Sequence, residues 1–235
     1  ATFKTGVVCN PAGSVYDAAN SKVVILYIDS TNDRLYAIVA TVSSTSVSFG
    51  SESAQIDASI STPRIAYSST AEKVAISYRD SGDSGKGKSK VGTVSGTSIS
   101  FGSIATFNNS GTSRTSITYN AASDNMIVSY AADTNSSYGQ YNVGTISGTD
   151  ITFGSATVFV SGAISAAESN TGVYDPTSKR VVLAYSNAGN SSYGTTSVIR
   201  SAYTQVDRGE VASGGNALIQ TGCAINDTQT GLTAG

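Results

Sequence analysis

The stretch VGTVSGTSISFGS at residues 91–103 returns as VGTISGTDITFGS at 143–155 and, with more changes, as VATVSSTSVSFGS at 39–51. Recurrence at a spacing of this size marks a repeat architecture, in which each unit is a supersecondary block that cannot bury its apolar faces alone. Three anchors set the period. Phe-Gly pairs begin at Phe49, Phe101 and Phe153, both intervals being 52 residues. A tyrosine closes the first strand of each unit at Tyr16, Tyr67, Tyr119 and Tyr174, at intervals of 51, 52 and 55. The runs VVILY, VAISY, MIVSY and VVLAY end at Tyr27, Tyr78, Tyr130 and Tyr185.

One unit, residues 61–107, reads as four strands: TPRIAYS, KVAISYR, SKVGTVS and SISFGSIATF. Each alternates apolar with small polar residues, the period of a half-buried strand. The first two are joined by short turns rich in Asp, Asn, Pro and Ser, all good turn formers. The third and fourth meet at Gly96-Thr97 and Gly148-Thr149, suited to two-residue hairpin turns, whereas the first copy has Ser44-Thr45.

Four-stranded antiparallel meanders repeating at this period describe the blades of a β-propeller. The N-terminal TFKTGVVCN is expected to be an orphan fourth strand, with Phe3 in the place of Phe101 and Cys9 in that of Phe107. The last unit supplies three strands and ends near residue 205. The expected fold is therefore all-β, a four-bladed propeller over residues 1–205 in which the strand at 1–10 completes the last blade and removes an open sheet edge. A β-solenoid or a trimeric β-fibre is the alternative. Residues 206–235 fall outside the repeat and read as a tail or linker.

Composition narrows the partners. Charged residues are 13% of the chain, the net charge is −2 and the pI is about 5, so no basic footprint for nucleic acid is present. No run of eighteen apolar residues occurs, so no membrane-inserted segment is expected. The chain has no histidine, which excludes a His-dependent catalytic triad and a His-ligated metal centre. Most carboxylates fall in turns, where Asp is expected without a catalytic task. DSGDSGKG at 80–87 and DSTNDR at 29–34 have the alternating oxygen donors of calcium loops but lack the closing Glu of the full pattern, and they read as turns. The expectation is a non-enzymatic protein without cofactor or metal.

The two cysteines are Cys9 on the N-terminal strand and Cys223 in the tail. A disulfide tying tail to closure and a pair of unbonded small core residues are both open readings.

In a meander, the connections from strand two to three and from strand four to the next unit share one end. That end carries the longer and more variable segments, where recognition on a rigid scaffold normally sits. Tyr138 and Tyr193 hold the same position eight residues past the strand-two tyrosine, Lys86 replaces them in the second unit, and Tyr36 is nearly equivalent. With Arg79 and Asp80 these are the candidate ligand contacts. An exposed Tyr among Asn and Ser can stack on a sugar, or it can simply start strand three and pack on its own loop. Asn108, Asn135, Asn190 and Asn226 begin N-x-Ser/Thr sequons, which chance alone produces in so Ser/Thr/Asn-rich a chain.

The units YDPTSKRVVLAYSNAGNSSYGT and VGTVSGTSISFGS resemble a repeat found in tail-fibre-like and virion structural proteins of tailed phages, marine and cyanobacterial ones especially. The resemblance covers nearly the whole chain, with departures at Ala40, Ser44 and Lys86. It implies a protein of the virion surface or another extracellular appendage, a module for attachment to a host envelope component or glycan. Other virion or appendage subunits, including copies of itself, are then expected partners. A self-assembling structural block and a secreted lectin are the alternative functions.

Overall fold

The computed structural model describes residues 1–165 and 170–199. The fold is all-β, built from antiparallel sheets in chain order. The first sheet holds β1 (Cys9–Asp17), β2 (Lys22–Asp29), β3 (Arg34–Ser43) and β4 (Ser46–Glu52), with the short β5 (Asp57–Ala58) also on β3. The second holds β6 (Ile60–Ser68), β7 (Lys73–Asp80) and β8 (Lys86–Ser95), with β9 (Ser98–Phe101) and β10 (Ala105–Asn108) both paired to β8. The third repeats this with β11 (Thr112–Asn120), β12 (Asn125–Ala132), β13 (Tyr138–Ser147), β14 (Asp150–Phe153) and β15 (Thr157–Ala163). Among the described residues the fourth sheet has three strands, β16 (Asn170–Asp175), β17 (Arg180–Asn187) and β18 (Tyr193–Ile199).

Turn chemistry makes each unit a meander. The last residue of each first strand accepts from a backbone N–H of the turn that follows: Asp17 from Asn20, Ser68 from Ala71, Asn120 from Ala122 and Asp175 from Thr177. Such side-chain caps satisfy backbone donors in the turn. The hairpin between strands three and four uses a left-handed residue, Gly96 at φ 60° and Gly148 at φ 62°, and Ser44 at φ 53° takes the same conformation without being glycine. The fourth strand is broken just after Phe-Gly, where Gly102 N–H donates to Val91 O and Gly154 N–H to Val143 O.

The sheets stack face to face because each second strand is apolar on both sides. Val24 and Leu26 of β2 meet Val74, Ile76 and Tyr78 of β7 in one buried layer. Ala75 and Val91 meet Met126, Val128 and Tyr130 in the next. Ile127 and Ala131 meet Val181, Leu183 and Tyr185 in the third. Tyr78, Tyr130 and Tyr185 therefore face the preceding sheet, while Tyr27 of the first sheet lies against Phe3. Tyr78 donates to Asp57 (2.7 Å), Tyr130 to Asn142 (2.8 Å) and Tyr27 to Glu52.

The first strands lie side by side in the order β1, β6, β11, β16. β1, β6 and β11 each carry a bulge, at Pro11/Gly13, Ser61/Arg64 and Ser113/Ser116. Thr62 and Arg114 are left-handed there, and their carbonyls turn towards the next sheet. Thr115 Oγ1 donates to Thr62 O, and Asn170 Nδ2 donates to Arg114 O at 3.0 Å.

The N-terminal segment departs from the expected register. Residues Cys9–Asp17 form the first strand of the first sheet, with Cys9 opposite Asp29, as Ile60 is opposite Asp80 and Thr112 opposite Ala132. Cys9 thus starts a first strand and does not occupy the place of Phe107. Phe3 packs on Tyr27 (5.3 Å between ring centroids) and Phe49 (5.9 Å), as Phe107 packs on Tyr130 (5.2 Å) and Phe153 (5.7 Å). Phe3 therefore corresponds to Phe107, not to Phe101. Cys223, like all of the tail at 206–235, lies outside the described residues.

Candidate functional site

The connections from strand two to three (30–33, 81–85, 133–137, 188–192) and from strand four to the next unit run together at one end of the sheets. Backbone hydrogen bonds knit them. Ser59 N–H donates to Asp33 O and Ser59 O accepts from Ser81 N–H, both at 2.8 Å. Thr112 N–H donates to Gly85 O (2.8 Å), and Asp133 N–H to Gly111 O (2.9 Å). Val8 O accepts from Ser30 N–H at 2.8 Å, so the N-terminal segment makes on the first sheet the bond that Ser59 and Gly111 make on the second and third.

On this platform the candidate contacts divide into engaged and open groups. Arg79 is a strap between sheets: its Nη1 donates to Thr112 O and to Asp133 Oδ2, both at 2.8 Å. Asp80 is buried, caps the 3-10 turn 81–83 by accepting from Asp83 N–H (3.0 Å), and pairs with Lys88. Lys88 also reaches Asp83 (2.9 Å), and Lys86 reaches the same carboxylate at 3.0 Å. Burial alone would pull the Lys88 ammonium down, but its hydrogen bonds to Asp80 and Asp83 more than offset this and hold it above the usual lysine range. Hydrogen bonds from Lys88 and Lys86 hold Asp83 below the usual carboxylate range. Asp80 and Arg79 serve the joint between strands and sheets.

Strand pairing also redraws the equivalence of the tyrosines. Tyr138 lies opposite Ala132, Tyr193 opposite Asn187 and Lys86 opposite Asp80, so these three share one position, and Arg34, opposite Asp29, is the fourth member. Tyr36 lies opposite Tyr27, two residues further along β3, at the position of Lys88 and Gln140. It stacks on Tyr27 (5.9 Å, 27°) and lies under Lys4 at 5.7 Å, and Lys4 is paired with Glu52 at 2.6 Å. Tyr36 is therefore part of the strap around Phe3, not of the loop rim. Arg34, which sequence spacing passed over, replaces it. Arg34 and Tyr193 are exposed, while Lys86 and Tyr138 are half-buried.

A second feature went unread in the sequence. A cleft of about 380 Å³ opens between β1 and β6, lined by Asn10, Pro11, Ala12 and Ile28 on one side and Thr62, Pro63 and Arg64 on the other. Its signal was the pair Pro11 and Pro63 inside predicted strands, since proline within a strand marks a bulge or an edge. Among the described residues no three of His, Cys, Asp and Glu are grouped to hold a metal ion. What the rim offers is a row of cationic and aromatic side chains beside Asn, Ser and Thr, groups able to stack on and hydrogen-bond a ligand.

No protein-family model matches the chain, and no curated protein is significantly similar to it.

Proposed function

We propose that this chain is a non-enzymatic attachment module of a virion or another extracellular appendage, built of β-propeller blades, which binds a host envelope component or glycan through its loop end. Each sheet is one blade, four to the chain. The meander order, the face-to-face stacking and the neighbouring first strands support that reading.

The observation that carries the binding reading is a contrast between positions. The strand-two tyrosine is the same in all four sheets, at Tyr27, Tyr78, Tyr130 and Tyr185. The residue that opens strand three at the loop rim differs in kind, as Arg34, Lys86, Tyr138 and Tyr193. A constant scaffold with a changing rim is the arrangement in which loops carry recognition. Tyrosine faces flanked by amide and hydroxyl groups suit pyranose rings, and the cations suit carboxylated or phosphorylated sugars.

The test is binding of the labelled protein to intact marine bacterial and cyanobacterial cells and to an array of bacterial surface polysaccharides. Saturable binding that falls about tenfold or more in Tyr193→Ala with Tyr138→Ala supports the reading, by the weight that buried aromatic anchors carry in interfaces. Binding to none of the cells or glycans overturns it.

A further inference from the structure

The three interior joints between sheets follow one rule, and the two outermost faces of the described chain obey it on only one side. On the first sheet the face turned away from the second presents Tyr16, Val42 and Val47. Val42 and Val47 are 57% and 39% exposed, whereas Val94 and Ile99, which hold the same places on the second sheet, are 7% and 5% exposed against the first. Tyr16 is exposed as well, while its counterparts are docked on the turn of the preceding sheet: Tyr67 OH accepts from Ala19 N–H (3.2 Å) and Tyr119 OH lies 2.7 Å from Thr70 Oγ1. On the fourth sheet the face turned away from the third presents the row Val173–Val182–Val198. Val198 is 57% exposed, although Val39 and Val91 in the same place are fully buried.

Contiguous apolar surface of this kind marks an interaction site. Its chemistry is that of the interior joints, so the group that fits each face is the face at the other end. We propose that the outer face of the first sheet docks on the outer face of the fourth sheet of a second copy of this chain, repeating between molecules the joint made three times within one. The contact is heterologous, head to tail, and it propagates into a closed ring or a filament according to the rotation at each joint. The proposal rests on reading the sheets as blades and is independent of what the loop rim binds.

The interior joints give the contact to test. Gly172 N–H donates to Ser116 Oγ at 3.1 Å across the third joint. By strand register Ser14 corresponds to Gly172, and Thr171 to Ser116, so Ser14 of one copy lies beside Thr171 of the other. In a Cys9→Ser, Cys223→Ser background, proteins carrying Ser14→Cys and Thr171→Cys are mixed and oxidised mildly. Disulfide-linked heterodimers are expected from the mixture, at the short Cα separation that a disulfide needs. Sedimentation should show mass rising with concentration, with self-association about tenfold weaker or more in Val198→Lys and in Val42→Lys, as for charge placed in an apolar contact. Because both valines are exposed in one chain, these variants fold.

A chain that stays monomeric, with Ser14→Cys and Thr171→Cys closing a disulfide inside one molecule, overturns the proposal in favour of a ring closed by a single chain. Self-association indifferent to both lysine variants overturns it too, as does absence of any cross-link. Cell and glycan binding by the unmodified chain reports separately on the loop end.

Discussion

The carbonyl oxygen of Thr97 lies where a Cβ on Gly50 would have to go, the two being only 1.8 Å apart. The contact recurs one joint later, between Gly102 and the Thr149 carbonyl, at 2.1 Å. The hairpin of each following sheet thus rests on the backbone just after Phe-Gly, and this explains why that glycine repeats. Gly154, the third copy, has no such neighbour among the described residues.

Gly50→Ala and Gly102→Ala should each therefore destabilise the fold by about 1–3 kcal/mol, the range of overpacked sites with backbone neighbours. Gly154→Ala should be close to neutral. Urea unfolding of the three variants checks this, and equal losses would disprove the assignment of the joint.

Lys88→Ala should cost about 3–5 kcal/mol, because it leaves the buried Asp80 carboxylate without its cation. Lys86→Ala should leave stability nearly unchanged, since its partner Asp83 is exposed and screened by solvent. Chemical denaturation of both variants distinguishes the buried pair from the surface one.

Alkaline pH should unfold the protein through Tyr27, Tyr78 and Tyr130. Burial pushes Tyr130 up to about 12, and Tyr27 and Tyr78 are raised still further by burial and by hydrogen bonds to Glu52 and Asp57. A phenol whose pKa is raised in the fold contributes stability that is complete below its unfolded value, near 10, and is lost as pH rises through the folded one. Between about pH 10 and 12 the folding constant should fall about tenfold per pH unit for Tyr130 alone. Ultraviolet titration should show Tyr27, Tyr78 and Tyr130 ionising only with loss of strand circular dichroism. A single transition near pH 10 for all of them would refute this.

Phe3→Ala should lower stability by about 1–2 kcal/mol, less than a full core truncation because Phe3 is half-buried against Tyr27 and Phe49. The rise in Tyr27 fluorescence quenching by acrylamide would report the lost cover. Unchanged stability would mean that the segment does not serve as a strap.

Strand identity and period were legible because alternation and the tyrosine anchors report burial directly: KVAISYR became β7 almost residue for residue. Register at the N-terminus was not. One phenylalanine looks like another in a string, and only ring packing shows that Phe3 belongs with Phe107. Tyr36 was misplaced for a related reason. The first unit's loop from strand two to three is one residue shorter than the second's, so counting eight residues from Tyr27 lands on Leu35, beside Tyr36, whereas hydrogen-bond register selects Arg34. Arg79 and Asp80 looked like loop-end contacts because sequence reveals charge but not the partners, Asp133 and Lys88, that occupy it.

The hydrogen bonds at Ser59 and Gly111 separate two kinds of loop. The links between units are held by backbone groups on both flanks, so their length and course are tied to the spacing of the sheets. The crests at 31–32, 82–84 and 135–136 make no backbone hydrogen bond to those links. Sequence drift is thereby channelled: residues can be exchanged or inserted at the crests without retuning how one unit seats on the next. A lineage carrying this scaffold can change what it touches while keeping what it is made of, and a designer can graft peptides at the same crests.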